Sequence, residues 1–205
     1  MMVGDIALVS LAIVTAYLLG SIPSAYLVGR LLKGLDIREA GDGRLGAAAT
    51  YRRVGLAGGI IVGLMDLAKG AAAVFLAQVL GFPLLVVLLA GLAVVVGHNW
   101  SIFLRFRGGK GALTICGVLA SLMFWQLLIA LALGGIFYLV THKTGMSTGI
   151  LLGFLSLINL ITGSLILLII LPLFISLPMV LKHISMPKAK AAAVTTTKNL
   201  KKKEG

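Results

Sequence analysis

Five apolar stretches, at approximately 6–29, 54–81, 84–104, 111–141 and 146–181, take up most of this 205-residue chain. Each is at least as long as the about 20 helical residues that cross the hydrocarbon core of a bilayer. Hydrophobic residues make up 60% of the sequence and charged residues 12%, against about 45–50% and about 25% in soluble domains. A globule of this size would lack the polar surface to cover such a core in water. Lipid is therefore the solvent for most of the chain, and the expected fold is an all-α membrane protein.

The last two stretches, at 31 and 36 residues, are too long for one crossing each. Fold-backs around Ser121–Gln126 and Thr162–Ser164 would divide them, giving about seven short transmembrane helices. The charges support that count. With the N-terminus outside and the C-terminus cytoplasmic, every Lys and Arg of the 18 except Lys69 falls in an inner segment, where Lys and Arg accumulate. Met1 to Asp5 carry no Lys or Arg, so the first run reads as a retained span and not a signal peptide. The net charge of +12 is then mainly topology. No nucleic-acid motif accompanies it. Residues 1–185 read as a single transmembrane domain and 186–205 as a disordered basic cytoplasmic tail.

The densest chemical signal is FLRFRGGKG at 103–111, immediately before an apolar helix. Gly108, Gly109 and Gly111 free the backbone to approach a ligand, the helix N-terminus adds partial positive charge, and Lys110 adds a full one. Together they suit a phosphate, although a flexible basic loop at the membrane surface has the same composition. The spacing is not that of a nucleotide-binding P-loop. A second glycine-rich, basic segment spans 30–53, with Gly41, Gly43 and Gly46 beside Arg38, Arg44, Arg52 and Arg53. Arginine's planar fork grips phosphate oxygens in pairs. Arg52, on the helix side of the glycines, is assigned to a ligand, whereas Arg30 and Arg53 are assigned to topology.

Asp66 and Lys69 stand inside the second stretch, in LMDLAKG. Charges at membrane depth are costly and pair or line a polar cavity. At i and i+3 these two share a helix face, as a structural ion pair or as catalytic groups. His98, in VVGHNW, closes the third stretch 12 residues before Lys110, which marks it as a candidate site residue. No metal cluster, Ser-His-Asp order or pair of catalytic carboxylates stands out. The lone Cys116 excludes an intramolecular disulfide.

In this order the segments GSIPSAYLVGRLLKGLDIREAGDG (20–43), LMDLAKG (64–70), GHNWSIFLRFRGGKGALT (97–114) and, weakly, LKH (181–183) resemble the bacterial acyl-phosphate-dependent glycerol-3-phosphate acyltransferases, the PlsY family of inner-membrane enzymes. The resemblance implies transfer of an acyl group from acyl phosphate to the 1-hydroxyl of glycerol 3-phosphate, giving lysophosphatidic acid and phosphate for phospholipid synthesis. It implies no metal and no free coenzyme, and a multi-pass protein of the bacterial plasma membrane whose site faces the cytoplasm. By carry-over, Lys110, Gly108, Gly109 and Arg52 hold phosphates, His98 orients or polarises the reacting groups, and His183 contacts the glycerol phosphate. Gly43, Gly46 and Gly111 belong to the same phosphate-binding set.

The first loop departs from the family pattern. Asp42 replaces a serine, Arg44 and Ala49 replace asparagines, and Ala48 replaces a threonine. A carboxylate thus enters the phosphate-binding set, with Arg44 as its nearest neutralising charge. Two alternatives follow: a diverged member with another acceptor, or a non-catalytic protein that binds anionic lipid. A small anion transporter is disfavoured, because intramembrane charges are few and no matched interrupted helices appear.

Overall fold

The fold is that of a computed structural model, which describes residues 3–38, 45–142, 144–162, 171–172, 174–178 and 180–181. In chain order the helices are α1 (Val3–Ser21), α2 (Ser24–Lys33), α3 (Ala47–Val54), α4 (Leu56–Val79), α5 (Leu84–Asn99), α6 (Ala112–Leu122), α7 (Phe124–Thr141) and α8 (Thr144–Ile161), with a single 3-10 turn at Ile102–Leu104. Residues 171–172, 174–178 and 180–181 are also helical. All regular structure among the described residues is helical, because only internally hydrogen-bonded backbone is tolerated in hydrocarbon, and isolated strands would leave it unpaired.

Among the described residues, four apolar helical stretches have the length and composition of a membrane span: Asp5–Lys33, Leu56–Val79, Leu84–Leu104 and Phe124–Thr141. Ala112–Leu122 and Ile150–Ile161 are shorter apolar helices. The break between α6 and α7 falls at Met123, inside the segment where a fold-back is expected. The first stretch differs from expectation. It is not one helix over 6–29 but two, interrupted at Ile22–Pro23. Proline has no N–H and pushes the residue before it out of the α region, so α1 ends at Ser21 and α2 restarts at Ser24. The interruption leaves the Ile22 carbonyl without a helical partner.

The main core packs α1, α4, α5 and α6 through Ala16, Ala73, Val74, Val94, Val95, Val118 and Leu119. A second cluster, built on Val28, Ile37, Val54, Val62 and Leu104, fastens α2 and α3 beside α4. Lipid is as apolar as leucine, so close backbone approach and polar contacts, more than water exclusion, hold such helices together. Two glycine pairs make that approach possible. A Cβ on Gly20 would meet the Val94 carbonyl, and one on Gly97 would meet the Tyr17 carbonyl, so α1 and α5 touch backbone to backbone. Likewise a Cβ on Gly70 would strike the Thr114 carbonyl, and one on Gly117 the Leu67 carbonyl, at the α4–α6 contact.

Polar bonds close the same seams. Tyr17 Oη donates to the Trp100 carbonyl at 2.8 Å, and Ser101 Oγ donates to the Ser21 carbonyl at 2.5 Å. Gly70→Val or Gly117→Val is expected to destabilise the protein by about 1–3 kcal/mol or more, since the obstructing atoms are backbone and cannot rotate away. Thermal unfolding in detergent checks this; an unchanged midpoint would show that α4 and α6 do not need this approach.

Candidate active site

The start of α2, the middle of α4 and the end of α5 converge on one buried carboxylate. Asp66 Oδ1 accepts a hydrogen bond from Ser24 Oγ at 2.9 Å, pairs with Lys69 Nζ at 2.9 Å and lies 3.5 Å from His98 Nδ1. Lys69 Nζ also donates to the Ile22 carbonyl at 3.2 Å, the group released by the break at Pro23. Asp66, Lys69 and His98 are 4%, 6% and 9% exposed. The i,i+3 pairing expected between Asp66 and Lys69 is present. What the spacing could not show is that it is shared with Ser24 and His98.

Above this cluster the Gly108–Gly111 loop folds onto the C-terminus of α5. Gly108 N–H donates to the Asn99 carbonyl at 3.1 Å and Gly109 N–H to the His98 carbonyl at 3.2 Å. This corrects one part of the expectation: those two N–H groups are engaged within the protein, so the glycines serve the site by their lack of a side chain. A Cβ on Gly108 would meet the His98 carbonyl, and one on Gly109 would meet His98 Nε2. The imidazole therefore has Nδ1 towards Asp66 and Nε2 towards the loop. Gly111, at φ +81°, precedes α6 as its cap, a left-handed conformation that favours glycine. Beneath it Asn99 is fully buried, with neither end of its amide partnered.

Beside the cluster lies a cavity of about 360 Å³ lined by Gly46, Arg52, Asp66, His98, Lys110 and Gly111, among others. Two helices start at its wall. Gly46, at φ +146°, caps α3, whose residues Ala47, Ala48 and Ala49 line the cavity, while Ala112 and Leu113 of α6 line it too. The first-turn N–H groups of a helix have no intrahelical partner and carry partial positive charge. With Arg52 and Lys110 added, and with Asp66 already balanced by Lys69, the cavity has the electrostatics of an anion binder.

Of the residues singled out from sequence, His98, Lys110, Arg52, Gly46 and Gly111 share this cavity. Gly108 and Gly109 line the small pocket of about 20 Å³ behind it, over Ser24, Asp66 and Lys69. Asp42, Gly43, Arg44 and His183 lie outside the described residues, as does the tail 186–205. Arg53 donates to the Ile37 carbonyl at 2.9 Å, and Arg30 pairs with Asp36 at 3.4 Å. Neither lines the cavity. Asp36 is also gripped by Arg38 at 2.6 Å. The Arg38 hydrogen bond, against some desolvation, holds the Asp36 carboxyl at about 2, below its ordinary 3.8. A depressed carboxyl contributes above its ordinary range and is lost only as pH falls through about 2, so this brace before the 39–44 segment persists throughout the neutral range.

Sequence reading missed Ser24 and the Ile22 carbonyl. The available signal was Pro23 inside an apparently continuous span, followed at once by a serine.

The fold and site define a class: an integral membrane protein with a cationic, water-accessible cavity where its apolar helices end. The particular family follows from comparison. The sequence matches the glycerol-3-phosphate acyltransferase family over residues 10–191. Glycerol-3-phosphate acyltransferase 2 of Moorella thermoacetica is 52% identical over 126 residues, covering 60% of this chain and 64% of that relative, just under two thirds of its length. The Bacillus subtilis glycerol-3-phosphate acyltransferase is 40% identical over 159 residues, 76% of this chain and 75% of that one. Among solved structures, the glycerol 3-phosphate form of PlsY, an integral membrane glycerol 3-phosphate acyltransferase, superposes with a TM-score of 0.76 at 25% identity, covering 92% of both chains. Its lysophosphatidic acid form gives 0.75 over the same coverage. The chain belongs to the glycerol-3-phosphate acyltransferase family.

Replacing Lys69 by Met would strand the Asp66 carboxylate, and loss of one partner from a buried pair costs about 3–5 kcal/mol. The double variant Asp66→Asn/Lys69→Met is expected to recover most of that loss, since no net buried charge remains. Thermal unfolding of the two variants in detergent checks it; equal midpoints would show that the pair is not electrostatically coupled.

Proposed function

We infer that this protein transfers an acyl group from acyl phosphate to the 1-hydroxyl of glycerol 3-phosphate, releasing lysophosphatidic acid and inorganic phosphate for phospholipid synthesis. The observation that carries this reading is the convergence of two helix N-termini, Arg52 and Lys110 on the cavity that holds His98. Both substrates present phosphate, and one is tied to a fatty chain. A cationic cavity at the ends of apolar helices accepts the first while the chain stays in lipid.

In this reading Lys110 and the start of α6 hold the phosphate of the donor, and Arg52 and the start of α3 hold that of the acceptor. The two substrates are brought together against their mutual repulsion and held in one orientation for reaction. Attack of the hydroxyl oxygen on the acyl carbon forms the ester bond as the bond to phosphate breaks. Lys110 then stabilises the charge that collects on the departing phosphate. His98 orients and polarises the attacking hydroxyl. No step calls on a metal or a coenzyme. The protein crosses the plasma membrane with about seven helices, N-terminus outside, and the cavity opens to the cytoplasm; the one-sided distribution of Lys and Arg supports this.

The test is phosphate release by the purified protein from palmitoyl phosphate, with and without glycerol 3-phosphate. Release that requires the acceptor, with lysophosphatidic acid as product, is expected. Lys110→Ala should lower it by about 10²–10³-fold, the usual loss when one charge-stabilising donor is removed from an acyl-transfer site. Arg52→Ala should raise KM for glycerol 3-phosphate more than that for the acyl donor. Donor binding with no release would favour the alternative of an anionic-lipid binder; release independent of glycerol 3-phosphate would favour another acceptor.

A further inference from the structure

Between α5 and the glycine loop, residues 102–107 form a turn whose inner side is fixed and whose outer side is unused by the site. Ser101 and Leu104 are buried and hold it in place. Phe106 N–H donates to the Ser101 carbonyl at 2.8 Å, and Arg107 N–H donates to the Leu104 carbonyl at 3.1 Å. Ile102, Phe103, Arg105, Phe106 and Arg107 are all exposed, the two phenylalanines by 59% and 58%. Among the described residues, no carboxylate pairs with Arg105 or Arg107.

The backbone makes these side chains harder to explain by folding alone. Arg105 and Phe106 lie in succession at φ +51° and +63°. Glycine or asparagine is the ordinary occupant of that left-handed region, and a bulky residue there is an outlier. Strain of this kind persists where function requires the side chain that causes it. Glycine at both positions would form the same turn with less strain. The arginine and the phenylalanine are therefore kept for something outside the protein.

Their depth shows what that is. α5 has 16 residues and is about 24 Å long, short of the about 30 Å hydrocarbon core. The apolar stretch runs on to Leu104, so Ile102 and Phe103 fall at the edge of the hydrocarbon. Tyr17 and Trp100, joined by the hydroxyl-to-carbonyl bond between them, are at the same end of the span, and such rings collect at the bilayer interface. Arg105 and Arg107 follow, at headgroup depth. Uncompensated cations interleaved with apolar rings match an interface rich in anionic lipid, which supplies hydrocarbon and phosphate side by side.

We propose that residues 102–107 are a membrane-docking turn, in which Ile102, Phe103 and Phe106 enter the interface and Arg105 and Arg107 bind the phosphate of anionic phospholipid headgroups. This goes beyond the acyl-transfer reading and does not depend on it. The turn leads directly into Gly108, so docking fixes the level of the Lys110 loop against the membrane surface.

The test uses the full chain carrying a nitroxide introduced through Phe103→Cys, with Cys116→Ser because the sequence has one cysteine. In nanodiscs of phosphatidylcholine and phosphatidylglycerol, the label is expected to collide more with oxygen, which dissolves in lipid, than with a water-soluble nickel chelate. The reverse would place the turn in water and overturn the proposal. In neutral detergent, the label is expected to lose mobility at lower concentrations of phosphatidylglycerol than of phosphatidylcholine. Arg105→Gly/Arg107→Gln is expected to weaken the phosphatidylglycerol response by about tenfold or more, the loss of two surface cations beside anionic lipid. Equal responses to the two lipids, or a response that the variant does not change, would refute headgroup binding. Arg105→Gly/Phe106→Gly, without the label, separates docking from folding. Its unfolding midpoint in neutral detergent is expected to stay level or rise; a fall would show that these side chains hold the turn itself and would defeat the proposal. None of these readouts needs acyl transfer. A chain that docks without acylating glycerol 3-phosphate would refute the proposed reaction alone, and one that acylates without docking would refute the docking alone.

Discussion

A carboxylate placed inside a lipid-facing helix imposes more on this structure than any other single group. Asp66 is expensive to bury, and an intramembrane charge persists only where partners and polar surroundings are built around it. Its partners come from separate helices: Ser24 from α2, Lys69 from α4 and His98 from α5. Meeting them requires α1 to end at Ser21, because only the break at Pro23 releases the Ile22 carbonyl that takes the second bond of Lys69. The interruption of the first span and the ion pair in the second are therefore one feature.

Helix packing answers to the same centre. α5 must run close enough to α1 and α4 to bring His98 to Asp66, and the side chains removed at Gly20, Gly70, Gly97 and Gly117 allow it. Once α5 is seated, its last carbonyls, His98 and Asn99, capture Gly108 and Gly109. That capture folds the loop back over the imidazole and places the start of α6 at the cavity wall. The geometry of this loop is thus a consequence of helix contact, with the glycines acting as spacers as much as flexible joints. The buried, unpartnered Asn99 amide under Gly111 shows how little room the turn leaves.

The cavity's charge explains why the site lies where spans end. At the end of the spans Arg52 and Lys110 can stay charged beside a cavity, where deep hydrocarbon would demand full neutralisation. Two helix N-termini reinforce them without adding side chains. An enzyme that joins a water-soluble phosphate ester to a fatty acyl group needs both environments within one bond length of reaction, and the boundary of the bilayer supplies them.

Much of this was legible in the residues. The apolar stretches dictated helices, the break near Met123 followed from a stretch too long for one crossing, and the i,i+3 spacing of Asp66 and Lys69 gave their pairing. GGKG before an apolar helix pointed to an anion, and Lys110 and Gly111 do line a cavity with Arg52, while Arg30 and Arg53 do not. Periodicity is a local property, and it reports local structure well. It could not show that Ser24, 42 residues from Asp66, donates to it, nor that the N–H groups of Gly108 and Gly109 are consumed by α5. It also read through Pro23, since hydropathy does not register a missing backbone donor. Those facts depend on how closely helix backbones approach in three dimensions, which is decided by the shape of packed surfaces distant in the chain. By itself the sequence determined the solvent, the helices and the cations that would meet an anion; only the tertiary structure decided that one buried carboxylate ties them to the imidazole.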